Sequence, residues 1–248
     1  MHFIFVKKIN TTKKSIFYSL VNYKKQFLAV GRQFYNKRKI KFMTLDKNLN
    51  IIKDKEEYIL RGEDPRCFYH NNEIYIQDNY WNDMHLINLT QNTKQKIDIE
   101  GKNITFISHN NKLYFIHYMC PFIMYEYCYD TGEIFPIKVN IGYEQNNEYR
   151  GGTPAYHYKD NLYYGFGHRT YEHKKILYHD VFYWEVDFSN NDPKINIWNI
   201  EQPPGCLNIC DPTSIIEIDG IHYLITAESS YPWFEDQEYE TNVYRIVW

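Results

Sequence analysis

The feature that most constrains this chain is a hairpin that recurs five times. SLVNYKKQFLAVG, CFYHNNEIYIQD, TFISHNNKLYFIHY, PAYHYKDNLYYGFG and TSIIEIDGIHYLIT each set an aromatic or β-branched run on both sides of a tight polar turn. The turns fall near residues 24, 71, 110, 160 and 219. Two-residue hairpin loops need positive φ, and Asn-Asn, Asp-Asn and Asp-Gly tolerate it. A third strand follows most hairpins, as in MHLINL, FIMYEYCYD, DVFYWEVDF and NVYRIVW. Helical spacing of apolar residues is nearly absent, so the chain reads as all-β. Aromatic residues make up 18% of the 248, with 25 Tyr and 15 Phe, and such rings suit a pleated, half-buried surface.

Five units of three or four strands match the arithmetic of a five-bladed β-propeller. The expected blades are residues 1–60, 61–100, 101–148, 149–205 and 206–248, forming a single domain. Radial repetition also protects the strand edges that so many strands would otherwise expose. A β-sandwich is the alternative, and the even spacing of similar hairpins favours the propeller. The final VYRIVW can close the ring beside the first blade or by pairing with the N-terminal HFIFV.

Three blades open alike, with Asp64-Pro65, Thr153-Pro154 and Asp211-Pro212. Proline fits the first residue of a strand, where the ladder needs no N–H. In a propeller the first strand of each blade is innermost, and it starts at one mouth of the central channel. The charges of RGEDPR, namely Glu63, Asp64 and Arg66, are therefore expected to converge there with Thr153 and Asp211 as substrate-binding groups. The plainer reading of Asp64 and Arg66 is an ion pair that locks blades together. In the fourth blade Arg150 precedes Gly151-Gly152, and His168 and Arg169 end the next strand. Arg150, His168 and Arg169 make a candidate phosphate or anion site. The competing reading is a tight glycine turn and an interior histidine. Tyr178-His179-Asp180 follows as a weaker motif.

EDPR at the start of the second blade resembles the signature of the five-bladed propeller β-mannoside phosphorylases and hydrolases, and of the related mannosyltransferases. GGTPAYHYKDNLYYGFGH resembles their GGG-x-P segment and the aromatic strand after it. The resemblance covers most of the chain from about residue 60. It implies that Asp64 and Arg66 contact the sugar and that His168 helps to bind phosphate. It implies a general acid near the end of the hairpin after EDPR, where Asp83 is preferred and Asp78 is the alternative. The family's Tyr-His-Gly stands here as Gly167-His168-Arg169, and its basic run before the third blade is missing.

The expected function is glycosyl transfer or phosphorolysis on mannoside-like glycans, inverting and metal-independent. Phosphate, a sugar phosphate or a nucleotide sugar would be a substrate, and no cofactor is expected. A phosphorylase needs only an acid and a cationic cluster, whereas inverting hydrolysis ordinarily needs two carboxylates. Tyr80, Trp81, Tyr171 and Trp233 suit stacking on sugar faces. A propeller that binds a glycan or protein without turnover is the alternative.

A net charge of −3 argues against a nucleic-acid binder. The five cysteines lack the spacing of a disulfide framework or a zinc site, and read as thiols of a reducing compartment. The expectation is a cytoplasmic protein, in the host cytoplasm if viral, since the Asn, Ile, Lys and Tyr bias suits an AT-rich genome. No stretch approaches the ~20 apolar residues of a membrane helix, and no His/Asp/Glu cluster has metal-ligand spacing in sequence.

Overall fold

The computed structural model describes residues 1–11, 15–33, 39–55, 62–80, 83–230 and 239–248. Among the described residues it is all-β. β1 (His2–Ile9) is followed by a four-stranded sheet of β2 (Ser15–Tyr23), β3 (Gln26–Gln33), β4 (Lys39–Leu45) and β5 (Ile51–Lys55). The second sheet is β6 (Glu63–His70), β7 (Glu73–Tyr80), β8 (Asp83–Asn88) and β9 (Thr93–Ile97). The third is β10 (Thr105–His109), β11 (Lys112–Met119), β12 (Phe122–Tyr127) and β13 (Ile134–Ile137). Next come the short β14 (Asn140–Ile141), β15 (Tyr149–Arg150) and β16 (Tyr156–Lys159), the long hairpin of β17 (Leu162–His173) and β18 (Ile176–Asp187), and β19 (Lys194–Asn199); β15 and β16 pair with β17, β19 pairs with β18, and β14 lies outermost, parallel to β19. The last sheet is β20 (Ile209–Ile218), β21 (Ile221–Ser229) and β22 (Glu240–Val247), completed by β1.

The predicted turns are where the chain reverses. Lys24-Lys25, Asn71-Asn72 and Asn110-Asn111 have φ between 47° and 66° at both positions. Asp160 has φ 48°, and Asp219-Gly220 has 50° and 78°. Asparagine, aspartate and glycine reach this left-handed region at least cost, which explains their choice at hairpin tips.

Five hydrophobic clusters lie between the five sheets. Ile74 and Ile76 pack with Val21 and Phe42 between blades one and two, and Phe68 packs with Phe106 and Phe115 between blades two and three. Trp184 and Phe182 meet Ile107 and Ile116, while Tyr164 and Phe166 meet Leu224 and Tyr244. The ring closes where Tyr18 and Leu20 meet Ile216 and Val243. Each blade thus buries both faces against its neighbours, the defining geometry of a five-bladed propeller.

The first strands line the axis and bond one another. Cys67 N donates to Ser19 Oγ, Leu20 N to Ser214 Oγ and Ala155 N to Phe106 O. Of the two closures that the sequence allows, the ring uses the second: β1 pairs antiparallel with β22, from His2 opposite Val247 to Ile9 opposite Thr241. No helix is long and apolar enough to cross a membrane among the described residues.

Candidate functional site at the axial mouth

The EDPR segment begins β6 with a bulge. Glu63 pairs with Asn79 and Arg66 with Gln77, so Asp64 and Pro65 together oppose Asp78. Asp64 takes φ 47°, a region that aspartate tolerates, and Pro65 falls where the ladder is already interrupted. The bulge sends the Arg66 side chain across the axis. Its Nε donates to the carbonyl of Gly152 in the fourth blade at 2.7 Å, and its Nη1 donates to Pro65 O at 3.1 Å and Asp64 O at 3.3 Å. A Cβ on Gly152 would lie 2.5 Å from Phe166 O and 2.8 Å from Pro212 Cγ, so glycine is what allows this approach. Burial lowers the pKa of Arg66, and the charges of Asp64 and Asp211 oppose that shift.

Carboxylates from two blades surround this guanidinium. Asp64 Oδ1 accepts from Arg32 Nη1 at 3.0 Å. Glu63 Oε2 lies 3.7 Å from Arg32 Nη1 and 3.5 Å from Lys102 Nζ. Asp211 is buried, and burial by itself would raise its pKa. The neighbouring imidazoles and Arg66 outweigh burial and hold it below the ordinary carboxylate range. His179 Nδ1 lies 2.7 Å from Asp211 Oδ1, and His168 Nδ1 lies 3.5 Å from the same oxygen. The two imidazoles stack at 4.6 Å with their planes 21° apart. Burial pushes the pKa of His168 down to about 4, against the opposing pull of Asp211, so its ring is neutral at pH 7. Tyr239 stands among these groups: burial raises its hydroxyl pKa, Asp211 and Asp64 add to the rise, and Arg32 opposes it.

Asp78 is a different kind of carboxyl. It is fully buried on β7, with Ile74 and Ile76 on the same side of the strand. Neither carboxyl oxygen has a hydrogen-bond partner, although His85 Nδ1 lies 3.2 Å from Oδ1. Burial pushes its pKa up to about 7, and the charge of Lys94 only partly offsets this. Gly62 covers it, where a Cβ would come within 2.9 Å of both Cβ and Cγ of Asp78. Asp78 therefore carries its proton across most of the range below neutrality, as a general acid must. Glu228, also fully buried, accepts from Thr226 Oγ1, Tyr244 Oη and Leu207 N, which gives it a packing role.

The expected site residues divide into those the fold assembles and those it disperses. Glu63, Asp64, Arg66, Asp211 and His168 come together. Asp83, the preferred acid, stands on the surface at the start of β8, paired with the exposed Lys96 at 2.8 Å. That pairing lowers its pKa, the opposite of what proton donation requires. The Thr153 hydroxyl is turned into its own blade, accepting from Phe166 N and donating nothing to the mouth among its hydrogen bonds. Of the expected phosphate cluster, Arg150 lies across the ladder from the neutral His168, whereas Arg169 is separated from it. Alternation along β17 puts Arg169 on the opposite face from His168, where Asp180 at 3.2 Å and Glu148 at 3.6 Å engage it. Arg150 turns to the carbonyls of Asn147 and Tyr149. Tyr171 stacks on Tyr178 and donates to Asp180. Arg61, Trp81, Trp233 and the Tyr80 side chain lie outside the described residues.

Two residues at the mouth carry no signal in sequence, Arg32 and Tyr239, and a third, His179, belongs to the weaker Tyr178-His179-Asp180 motif. His179 was the most accessible of them. A two-residue turn at Lys174-Lys175 pairs Thr170 with His179 and His168 with Val181, which brings the two histidines to one face as diagonal neighbours. His168, His179 and Asp211 are also the residues here that could hold a metal, because their ligand atoms lie within 4.8 Å of one another.

No family model matches this sequence, and no curated protein matches it. Solved structures do share the fold. A thermostable family-43 glycoside hydrolase superposes with a TM-score of 0.69 at 12% identity, over 99% of this chain and 93% of that one. The Bacillus subtilis arabinanase gives 0.62 at 9% identity, over 99% and 98%. An exo-β-1,3-galactanase from Phanerochaete chrysosporium gives 0.65 at 8% identity, over 98% and 64%. At this level of identity the likeness establishes a shared propeller fold.

Proposed function

We propose that this propeller is a carbohydrate-active enzyme that cleaves a glycosidic bond at the axial mouth, with Asp78 as proton donor and Asp64, paired with Arg32, as its partner. The observation that carries this reading is the contrast between two carboxyls on opposing strands at the bulge. Asp64 is held by the Arg32 guanidinium, whereas Asp78 is buried without a partner and retains its proton to about pH 7. Glycoside cleavage uses such a pair, one group protonating the leaving oxygen and the other serving as base or nucleophile. Arg66 and Glu63 then form the polar floor on which sugar hydroxyls hydrogen-bond. The fold shared with an arabinanase and a galactanase supports a glycan as ligand.

Water suits this site better than phosphate as the nucleophile. Phosphorolysis or transfer from a sugar phosphate would call on Arg150 and Arg169, but Arg169 is engaged by Asp180 on the opposite face from His168, and Arg150, although across the ladder from His168, spends its Nη1 on the carbonyls of Asn147 and Tyr149. The test is incubation with arabino-, xylo-, galacto- and manno-oligosaccharides, with and without inorganic phosphate, followed by product analysis. Free sugars without phosphate support hydrolysis. Sugar 1-phosphate formed only with phosphate restores the phosphorylase reading.

A second reading has its own support. Asp78 lies sealed beneath Gly62 with no exposed surface, which suits a propeller that binds a glycan without cleaving it. Calorimetric binding of an oligosaccharide, with no turnover of any member of the panel, would establish that reading.

A further inference from the structure

We infer that His168, His179 and Asp211 form a binding site for one divalent transition-metal ion of the zinc class, pinning the fourth blade to the fifth. This goes beyond the glycan reading and does not depend on it. The first support is convergence: two imidazole Nδ1 atoms point at one carboxylate oxygen, at 2.7 and 3.5 Å, and the candidate ligand atoms all lie within 4.8 Å.

The second support is independent. His168 is only 4% exposed, and its Nδ1 makes no hydrogen bond. A buried polar nitrogen without a partner is costly, because it has given up water and gained nothing in exchange. His168 Nδ1 stands 3.5 Å from the Asp211 oxygen that His179 Nδ1 already meets at 2.7 Å, too far for a hydrogen bond of its own. A metal ion between them would be ligated by both nitrogens and the oxygen together.

Donor chemistry selects the ion. Two nitrogens and one carboxylate suit zinc and its first-row neighbours, whereas calcium and magnesium take oxygen ligands. Three protein ligands leave a coordination position for water or a sugar hydroxyl. The backbone already orients one ligand: His179 N donates to Asn208 O, beside the single bridge between β18 and β20. Arg66 is the opposing influence. Its Nε and Nη1 are spent on the carbonyls of Gly152, Pro65 and Asp64, which directs much of its charge away from the triad.

The test uses the full chain, stripped with a chelator and titrated with Co2+ alone. The expected result is one equivalent bound, with visible d–d absorption and without a thiolate-to-cobalt charge-transfer band, and displacement by Zn2+. His179→Gln and Asp211→Asn should each weaken Co2+ binding at least 30-fold while circular dichroism reports an intact fold. A measurement without variants guards against misfolding: Zn2+ should protect His179 from carbethoxylation while the exposed His2 still reacts. Failure of the folded wild type to bind Co2+ overturns the proposal. So does a thiolate band, undiminished binding in both variants, or equal modification of His179 with and without Zn2+.

Discussion

Arg66 of the second blade donates from Nε to the carbonyl of Gly152 in the fourth, a 2.7 Å bond that crosses the propeller axis. Adjacent blades are joined by hydrophobic clusters, but this contact joins blades that are not neighbours. Its loss would leave carbonyls unpaired in a dry site. Arg66→Ala is expected to destabilise the fold by about 3 kcal/mol. In a domain of this size that lowers Tm by roughly 6–12 °C. Differential scanning calorimetry checks it, and a Tm within 2 °C of wild type would remove the axial role.

Asp78 should make stability depend on pH in an unusual direction. The folded state holds its proton to about pH 7, while the unfolded carboxyl ionises near 3.8. Between those values the folded chain binds more protons, so a rise in pH favours unfolding, and the effect levels off above about pH 7. The shift corresponds to on the order of 4 kcal/mol. The comparison is wild type against Asp78→Asn at each pH, which cancels the contributions of His85 and Lys94 beside it. The variant should be the more stable above pH 7, with the gap closing toward pH 4. A gap that does not change with pH would show that Asp78 ionises normally.

The same substitution should abolish glycan cleavage if Asp78 is the proton donor, so stability and activity move in opposite directions. Asp83→Asn should change neither, because the exposed pair with Lys96 is solvent-screened. Initial rates on whichever oligosaccharide proves to be a substrate decide the matter. Loss of turnover in Asp83→Asn with retention in Asp78→Asn would reverse the assignment.

Gly62 and Asp78 should be energetically coupled. A methyl group at residue 62 would press on the Asp78 side chain at 2.9 Å or closer, which real Cβ contacts do not show. Gly62→Ala is expected to cost about 1–3 kcal/mol through overpacking. Combining it with Asp78→Ala should recover most of that cost, a coupling that a denaturant-based double-mutant cycle measures. Additive effects would mean that the backbone at residue 62 moves aside.

The architecture was legible in the sequence because its signals are local. A two-residue turn such as Asn71-Asn72 fixes its own φ angles and the pairing of both flanking strands. Asp64-Pro65 and Asp211-Pro212 likewise marked strand starts, and strand starts lie at the mouth. The acid was harder to read. Asp78 and Asp83 sit five positions apart in one hairpin, and only the packing above them separates a sealed carboxyl from a surface ion pair. The expected phosphate cluster scattered for a related reason: His168 and Arg169 are adjacent in sequence, and adjacency in a strand means opposite faces. Arg32 and Tyr239 approach Asp64 from other blades, a relation that no short motif can encode.

The pairing of β1 with β22 sets the order of events during folding. β1 must wait, without its partner, until β22 has been made. Contacts spanning nearly the whole chain close slowly, because their loop entropy is lost before the contact is gained. Until then β22 presents an open ladder edge, and Ile4, Phe5 and Val6 of β1 stay exposed even in the finished ring. The vulnerable species is thus a ring of formed blades that has not yet latched. A chaperone or a high local concentration of the same chain would act at that moment, capturing or mispairing a single eight-residue strand.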